Sequence, residues 1–598
     1  MTNEMTSHAS SWPKPLKLIV SISAKVATLN VLKGRFNQKL SLSDVDPTTE
    51  RDKGEEAMSI EQIKKELNAE QYRVSKMMKQ TADDAARWLQ VLTKHLDVDM
   101  RNLPDDPPGT GGLNEGMREG LEINDAKEIE IALELILVSL ALVVGEAQEI
   151  QEKASITRDK KQDSTPPLDY TALSRSLVVM TCQELGLSST AVIEAEKSLA
   201  QHLYFEMQSK ENEGTPSKQV NNKWDQATQQ YKKDTAKRTN TLKWAATGAG
   251  FVLGGVAIGL TGGLAAPAIA PLLAGSLGIA AFSGAGGAVL IGTLLGLGGG
   301  GLAGYRTHRR MQGLEDVKFE PIKNDDVPSI PSLTATIVAS GFLLEPSDST
   351  VPWLSTFNDN KNDVFSLQAD SASFLSAGKS LDNYVRNYVI KMGGIELVKK
   401  TALAAAYAAV ALPLTIWNTT TLMLDSDFTR CRDKAKKAGA LLAEILEKQV
   451  QGKRPVVLIG YGPGATIIYH CLLELHNRCL SNLVYSATLI SLPESPSRLN
   501  WCKIRSVVSH SLVSTWSNND WVLAVAARLF TLSPNIAGLN CVDVEGITNV
   551  DCSDLIQGHL EIRDKLDQIL KRVDNQSGVG SKESQVEQTR MGMEKLNT

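Results

Sequence analysis

From Trp244 to Tyr305 the chain carries no Asp, Glu, Lys or Arg, and this run limits what the whole can fold into. A stretch so long and uncharged has to be covered by lipid or by an unusually apolar protein core. One bilayer-spanning helix takes about 20 apolar residues, so two passes fit, with a break near Pro267 and Pro271. The run holds 19 of the chain's 45 glycines. They recur at every fourth position in Gly292, Gly296, Gly300 and Gly304, and again in Gly255, Gly259 and Gly263. On a helix that spacing makes a flat ridge that another helix can approach closely. It predicts helix pairing, either within one chain or with a homo-oligomer or protein partner. Lys232, Lys233, Lys237, Arg238 and Lys243 precede the run, and Arg306, Arg309 and Arg310 follow it. Basic flanks stay on the cytosolic side. The run therefore predicts a hairpin over 244–305 in an intracellular membrane, with the N- and C-terminal domains facing the cytosol. The alternative is a glycine-rich buried helix pair in a soluble fold.

The remainder divides around this run. Residues 1–58 are polar and mixed and read as mostly disordered, with one apolar element at Leu16 to Val31. Residues 59–240 read as an all-α domain with helices over Ser59 to Val98, Asp125 to Lys153 and 169–210. Ser59 with Gln62 resembles a capping box. The apolar stretch Ile131 to Val144 contains Glu134 and is too short to span a bilayer, which favours a core helix. Residues 330–575 alternate strand and helix patterns, which implies a mostly parallel sheet, and 576–598 read as a disordered tail. The expected fold class is thus α/β, with a hydrolase-like, mostly parallel C-terminal sheet preceded by an all-α region and the hydrophobic hairpin. Ala402 to Leu424 is a further uncharged stretch that reads as a lid helix, buried or touching the membrane, with a third membrane segment as the alternative.

The net charge of -5 and the lack of a basic arm set nucleic-acid binding aside. The seven cysteines include no C-x-x-C pair, so neither a zinc site nor a disulfide framework is indicated and a reducing environment fits. No signal-peptide core opens the sequence.

Within the C-terminal domain, Arg454 to Ile459 reads as a buried strand and Ala465 to Asn477 as a helix, joined by Gly460-Tyr461-Gly462-Pro463-Gly464. Strand, glycine-rich turn and helix form the setting of a nucleophile elbow, G-x-S-x-G. Here the nucleophile position is Gly462. Pro463 has no backbone N–H, and that N–H would supply half of an oxyanion hole. Leu333 to Leu344 reads as an earlier strand, whose following Gly341 or Phe342 could donate the other half. Leu483 to Leu492, Val507 to Trp516 and Asn540 to Glu545 read as further strands, and the segment from Asp554 to His559 opens the final helix. Elbow 462, acid Asp520 and His559 follow the chain order Ser, Asp, His of α/β-hydrolases. In a working triad the aspartate orients the histidine and the histidine takes the serine proton. His559 has no hydroxyl at 462 to deprotonate.

Arg454-Pro-Val-Val-Leu-Ile-Gly, Ser517-Asn-Asn-Asp-Trp-Val-Leu and Gly546-Ile-Thr-Asn-Val-Asp, ending in Gly558-His559, resemble the family of transmembrane and coiled-coil domain-containing protein 4. The resemblance covers about 230–575. It implies membrane association, a lipid or acyl ligand and a serine-hydrolase-like domain shared with a yeast lipase-like protein, with Asp520 and His559 as triad partners by motif position. Members of that family read G-F-S-L-G at the elbow, where this chain reads G-Y-G-P-G.

A glycine suits the strained apex of an elbow and a proline suits the first helical position, so the pentapeptide stays a competent turn while losing its chemistry. Two function classes follow. One is a membrane-anchored pseudo-hydrolase that binds or scaffolds. The other is an active lipase- or esterase-like enzyme with a different nucleophile, for which Ser340, Tyr461 and Thr466 are the nearest candidates. Asp520 also reads as a helix N-cap. His470, His476 and His510 read as packed or surface residues, and Cys471 and Cys479 as core. No cofactor or metal is expected. Ala465 would let G-x-G-x-x-A pass as a dinucleotide fingerprint, but no acidic residue follows about 20 positions on.

Overall fold

The computed structural model describes residues 8–38, 60–107, 111–156, 169–213, 291–297, 301–307, 313–323, 331–357, 363–391, 419–524 and 535–576, apart from 557, together with short pieces at 41, 44, 109, 251–253 and 256–258. The N-terminal part is helical: α1 (Lys14–Phe36), α2 (Ile60–His95), α3 (Asp125–Ile156), α4 (Ala172–Glu184) and α5 (Ser189–Glu213). Thr171 caps α4 by accepting from the Ser174 N–H. Gly186, with φ 69°, lies in the turn that splits the helical reading of 169–210 into α4 and α5.

The apolar element expected at Leu16 to Val31 lies within α1. Pro15 sits in the first turn of α1, where a proline costs nothing. The helix buries Leu16, Val20, Ala24 and Val31 in one core with Trp88, Leu92, Ile131, Leu135 and Leu177, and Ala27 is buried as well. Among the described residues α1 is the one helix long and apolar enough to cross a membrane, and half of that apolar window is buried inside the molecule.

The C-terminal part is an eight-stranded sheet: β1 (Arg306–Thr307), β2 (Val317–Ile322), β3 (Ala335–Ala339), β4 (Asp363–Ala369), β5 (Val456–Tyr461), β6 (Val484–Ile490), β7 (Leu512–Trp516) and β8 (Ile547–Asp551). The order across the sheet is β8-β7-β6-β5-β3-β4-β2-β1. Strands β3 to β8 pair in parallel, while β2 joins β4 and β1 joins β2 antiparallel. Helices α6 (Ser371–Lys391), α7 (Thr419–Glu447), α8 (Pro463–Asn477), α9 (Arg498–Val507) and α10 (Ile562–Gln576) complete the domain. All five residues of β3 are buried, as expected for a strand covered on both faces. One core holds α7, α8 and α9 on one face, and a second holds α10 on the other. The α/β class with an all-helical N-terminal region is therefore what the chain adopts.

The last strand is displaced from its expected place. Residues 540–545 form a loop and β8 follows Gly546, whose φ of 81° makes the turn. The loop mimics pairing through Asn549, whose amide accepts from the Val542 N–H (2.7 Å) and donates to the Val542 carbonyl (2.9 Å).

The uncharged run also departs from a simple helical hairpin. Phe251–Leu253 and Val256–Ile258 pair antiparallel, with Leu253 opposite Val256. The dipeptide between them is Gly254-Gly255, a composition that tight hairpins favour. At its other end Ile291, Leu294 and Leu295 are fully buried in the helical core, and Leu302 in the sheet core. Gly296, of the every-fourth-residue set, has φ of 67°, so the set does not continue along one helix there. A Cβ at Gly296 would come within 2.4 Å of the Gln451 carbonyl oxygen. Positive φ and close backbone contact account for this glycine. The remainder of 244–290 lies outside the described residues, as do positions 402–418 of the expected lid; 419–424 begin α7.

Helical region and sheet are joined by buried polar contacts. The Arg35 guanidinium, at the end of α1, donates to the Ser506 carbonyl (2.7 Å) and the Ser481 carbonyl (3.4 Å). Burial, with Arg505 nearby, lowers its pKa to about 9. Glu70 on α2 meets His476 Nε2 on α8 at 2.7 Å, and His476 Nδ1 meets the Ser506 hydroxyl at 2.8 Å. Burial alone would raise the Glu70 carboxyl, but the His476 bond and the Lys503 and Arg73 charges hold it below its usual value. Arg35→Ala strands two buried carbonyls, so we expect thermal unfolding of the full chain to show a loss of about 2–4 kcal/mol.

Candidate functional site

β5 ends at Tyr461, and the chain reverses into α8 through Gly462 at φ 53°, ψ -127°. The Gly462 N–H donates to the Ile490 carbonyl at 2.9 Å, and its carbonyl accepts from the Thr466 N–H at 3.2 Å, which starts the helix. Pro463 occupies the first helical turn. The flanking glycines are set by contact. A Cβ at Gly464 would lie 2.1 Å from the Ala339 carbonyl oxygen, one at Gly460 2.7 Å from the Gly464 backbone, and one at Gly341 2.7 Å from the Tyr461 ring. Helix, elbow strand and β3 thus touch backbone to backbone.

Two loops bring the other groups to this end of the sheet. β7 ends at Trp516, and Asp520 follows in Ser517-Asn-Asn-Asp. It performs both roles that its sequence position allows. One oxygen, Oδ1, accepts from the Leu523 N–H at 3.0 Å, while Oδ2 meets His559 Nδ1 at 2.8 Å. His559 forms a single 3₁₀ turn ahead of α10. Asp520 is fully buried and His559 nearly so. With Nδ1–H directed at the carboxylate, Nε2 presents a lone pair, and it has no hydrogen-bond partner.

Nε2 is aimed at the elbow apex. A Cβ built on Gly462 would sit 2.6 Å from it, well inside carbon–nitrogen van der Waals contact. A side chain at 462 would therefore require the tip of the imidazole to shift. The edge of Phe342 packs on the His559 ring at 5.7 Å between centroids, and Phe342 rests on Phe428 at 4.9 Å. The space left among Phe342, Leu344, Tyr461, His559, Leu560 and Arg563 is about 10 Å³, room for one water. The Arg563 guanidinium is engaged by Asp348 (3.2 Å) and Asp564 (3.0 Å).

The other candidate nucleophiles are occupied or covered. The Ser340 hydroxyl accepts from Trp353 Nε1 at 2.9 Å and donates to the Asp348 carbonyl at 3.1 Å. Thr466 is buried in α8. Burial pushes the Tyr461 phenol up to about 12. His470 lies 3.6 Å from Glu494, His476 belongs to the joint with α2, and His510 stacks on Tyr485 at 4.9 Å. Burial raises the Cys471 thiol, while Cys479 is half-buried at a positive φ of 56°. Among the described residues no group of His, Cys, Asp and Glu is placed to hold a metal. Ser491 was not legible in the sequence. It follows β6 beside the elbow at φ 47°, a strained value for a non-glycine residue, and its buried hydroxyl has no partner. Only the backbone angle distinguishes it from other strand-end serines.

Fold and site together define an α/β protein whose central parallel strand ends in a Gly-Tyr-Gly-Pro-Gly turn beside a buried Asp–His pair. A family described as "Protein of unknown function (DUF726)" matches residues 239–576, more than half of the chain, and the chain belongs to that family. It is 32% identical to a rice protein named transmembrane and coiled-coil domain-containing protein STS1, over 55% of this chain and 51% of the relative. An uncharacterized membrane protein of Schizosaccharomyces pombe is 30% identical over 67% of this chain and 68% of its own length. A Saccharomyces cerevisiae protein named probable lipase MIL1 is 26% identical over 68% of this chain and 37% of its own length. The chain thus spans about half the length of the rice relative. No solved structure matches it.

Gly464→Ala drives a methyl group into the Ala339 carbonyl. We expect it to destabilise the sheet domain by more than about 3 kcal/mol, read as loss of the cooperative thermal transition, whereas Ala465→Gly at the next position costs about 1 kcal/mol.

Proposed function

We propose that this chain is a membrane-associated protein of α/β-hydrolase architecture whose hydrolytic centre is disabled, and that it works by binding or scaffolding. One observation carries the reading: the elbow apex toward which His559 Nε2 is aimed is Gly462, which has no hydroxyl, and Pro463 follows it. The strand order and the sequence elbow, acid, histidine support the hydrolase-like architecture. Pro463 supports the loss of function independently, because an absent oxyanion donor costs about 3 kcal/mol of barrier, a hundredfold or more in rate. The membrane assignment draws on the uncharged run and on relatives named as membrane proteins. The reading extends to a kinship with transmembrane and coiled-coil domain-containing protein 4 and to a lipid or acyl ligand. Asp520, His559, Gly341, Phe342, Gly460, Gly462, Pro463 and Gly464 are the residues of the former site.

A second reading has its own support. The Asp520–His559 pair is geometrically intact at 2.8 Å, and one relative is named a probable lipase. An active esterase would then use a nucleophile other than residue 462.

A fluorophosphonate probe separates the two. The unsubstituted full chain should stay unlabelled, and Gly462→Ser with Pro463→Leu should gain labelling only if the imidazole swings away. Labelling of the unsubstituted chain that His559→Ala abolishes would overturn the pseudo-hydrolase reading. Membrane spanning is checked separately: the full chain should resist extraction from cell membranes by alkaline carbonate, and its release would count against a hairpin.

A further inference from the structure

Helix α2 turns a positive face to solvent. Over residues 64–80 each exposed charged side chain is a lysine: Lys64, Lys65, Lys76 and Lys79. The two carboxylates of that stretch are withdrawn from the face. Glu66 is half-buried, and Glu70 is buried against His476, with Arg73 and Lys503 beside it. Glu61 and Asp83 are the exposed acids that bound the stretch. The chain as a whole has a net charge of -5, so this face is a local reversal of sign.

Helical spacing gathers these groups into a row. Lys65, Tyr72, Lys76 and Lys79 fall within one narrow sector of the helix, and Lys64 and Asn68 lie beside it. The row extends over about 20 Å of helix axis. Leu67, Met77 and Thr81 occupy the opposite side and are buried, so the lysine face is the one the rest of the molecule leaves open. Tyr72 stands in the middle of the row at 71% exposure, and Met78 at its edge at 43%. A tyrosine left that open, on a helix packed along its other side, contributes nothing to the core.

We propose that this face of α2 lies on a bilayer surface that contains anionic lipid. The inference rests on the membrane association proposed above and adds a second, peripheral contact to it. Lysine ammonium groups reach headgroup phosphates and carboxylates on flexible stems, and each one near an anionic surface strengthens binding severalfold. A tyrosine suits the same depth, because its ring is apolar and its hydroxyl polar. The face is a convex helix side, with no groove to grip an acidic peptide. A flat headgroup layer meets the whole row at once.

Asn68 is exposed beside the row and serves as the reporting position. The test uses the full chain with Asn68→Cys and Cys541→Ser, the second change removing an exposed native thiol, and a polarity-sensitive dye at 68. Vesicles of phosphatidylcholine mixed with phosphatidylserine should shift the dye emission to the blue, and about 0.5 M salt should reverse the shift. Vesicles of phosphatidylcholine alone should leave it unchanged. Lys65→Gln, Lys76→Gln and Lys79→Gln together should raise the lipid concentration needed for the shift about hundredfold. All three positions are exposed, so the fold stays in place. Equal shifts on both kinds of vesicle, no response to the triple substitution, or the same shift with soluble poly-glutamate in place of vesicles would overturn the proposal. Sedimentation with phosphatidylcholine vesicles reads the hairpin separately. A chain that stays in solution there, yet shows the salt-sensitive shift on anionic vesicles, would lose the hairpin and keep this surface.

Discussion

The sheet domain depends on one close approach, that of the first turn of α8 to the backbones of β3 and β5. At Gly464 even a methyl group would fall 2.1 Å from the Ala339 carbonyl oxygen. Protein interiors are packed too tightly to absorb such an overlap. That contact fixes where α8 begins, and so where Gly462 sits. It also sets the face against which the loops after β7 and after β8 bring Asp520 and His559. The glycines of the elbow are thus retained for packing, whatever has become of the chemistry.

The joint between the helical region and the sheet follows a different logic. Its centre is polar: Glu70, His476 and Ser506 form a buried hydrogen-bonded chain, and Arg35 reaches two carbonyls beside it. Serine, histidine and glutamate in a row superficially match a hydrolytic triad. The Ser506 hydroxyl, however, donates to the Lys503 carbonyl at 2.6 Å, and all three side chains are sealed from solvent. Buried polar networks of this kind specify one docking arrangement more than they add stability. They tie α1 and α2 to a domain that lies hundreds of residues further along the chain.

Much of this was legible beforehand, and the gaps have physical causes. β5, the elbow and α8 could be read because an apolar run, a glycine turn and a helical pattern coincide over 454–477. Asp520 and His559 could be read from their order along the chain. α1 was underestimated because its lysines and serines dilute the apolar signal, while Leu16, Val20, Ala24, Ala27 and Val31 still form a helical stripe. β1, β2 and β4 were missed: Arg306–Thr307 spans two residues, and β2 contains charges and Pro321, which lies outside its two-residue pairing with β1. Gly292, Gly296, Gly300 and Gly304 were read by their spacing alone, whereas Gly296 answers to backbone angle. The position of the His559 ring relative to residue 462 depends on tertiary packing, and no local pattern announces it.

That ring position links two residues far apart in sequence. While glycine occupies 462, the imidazole tip can point straight at the turn; a Cβ at 462 would stand 2.6 Å from it and require that tip to shift. Neither position can be changed without altering the penalty for changing the other, so their substitutions should be strongly non-additive. A serine restored at 462 would have to displace the tip of the histidine that such a serine would need.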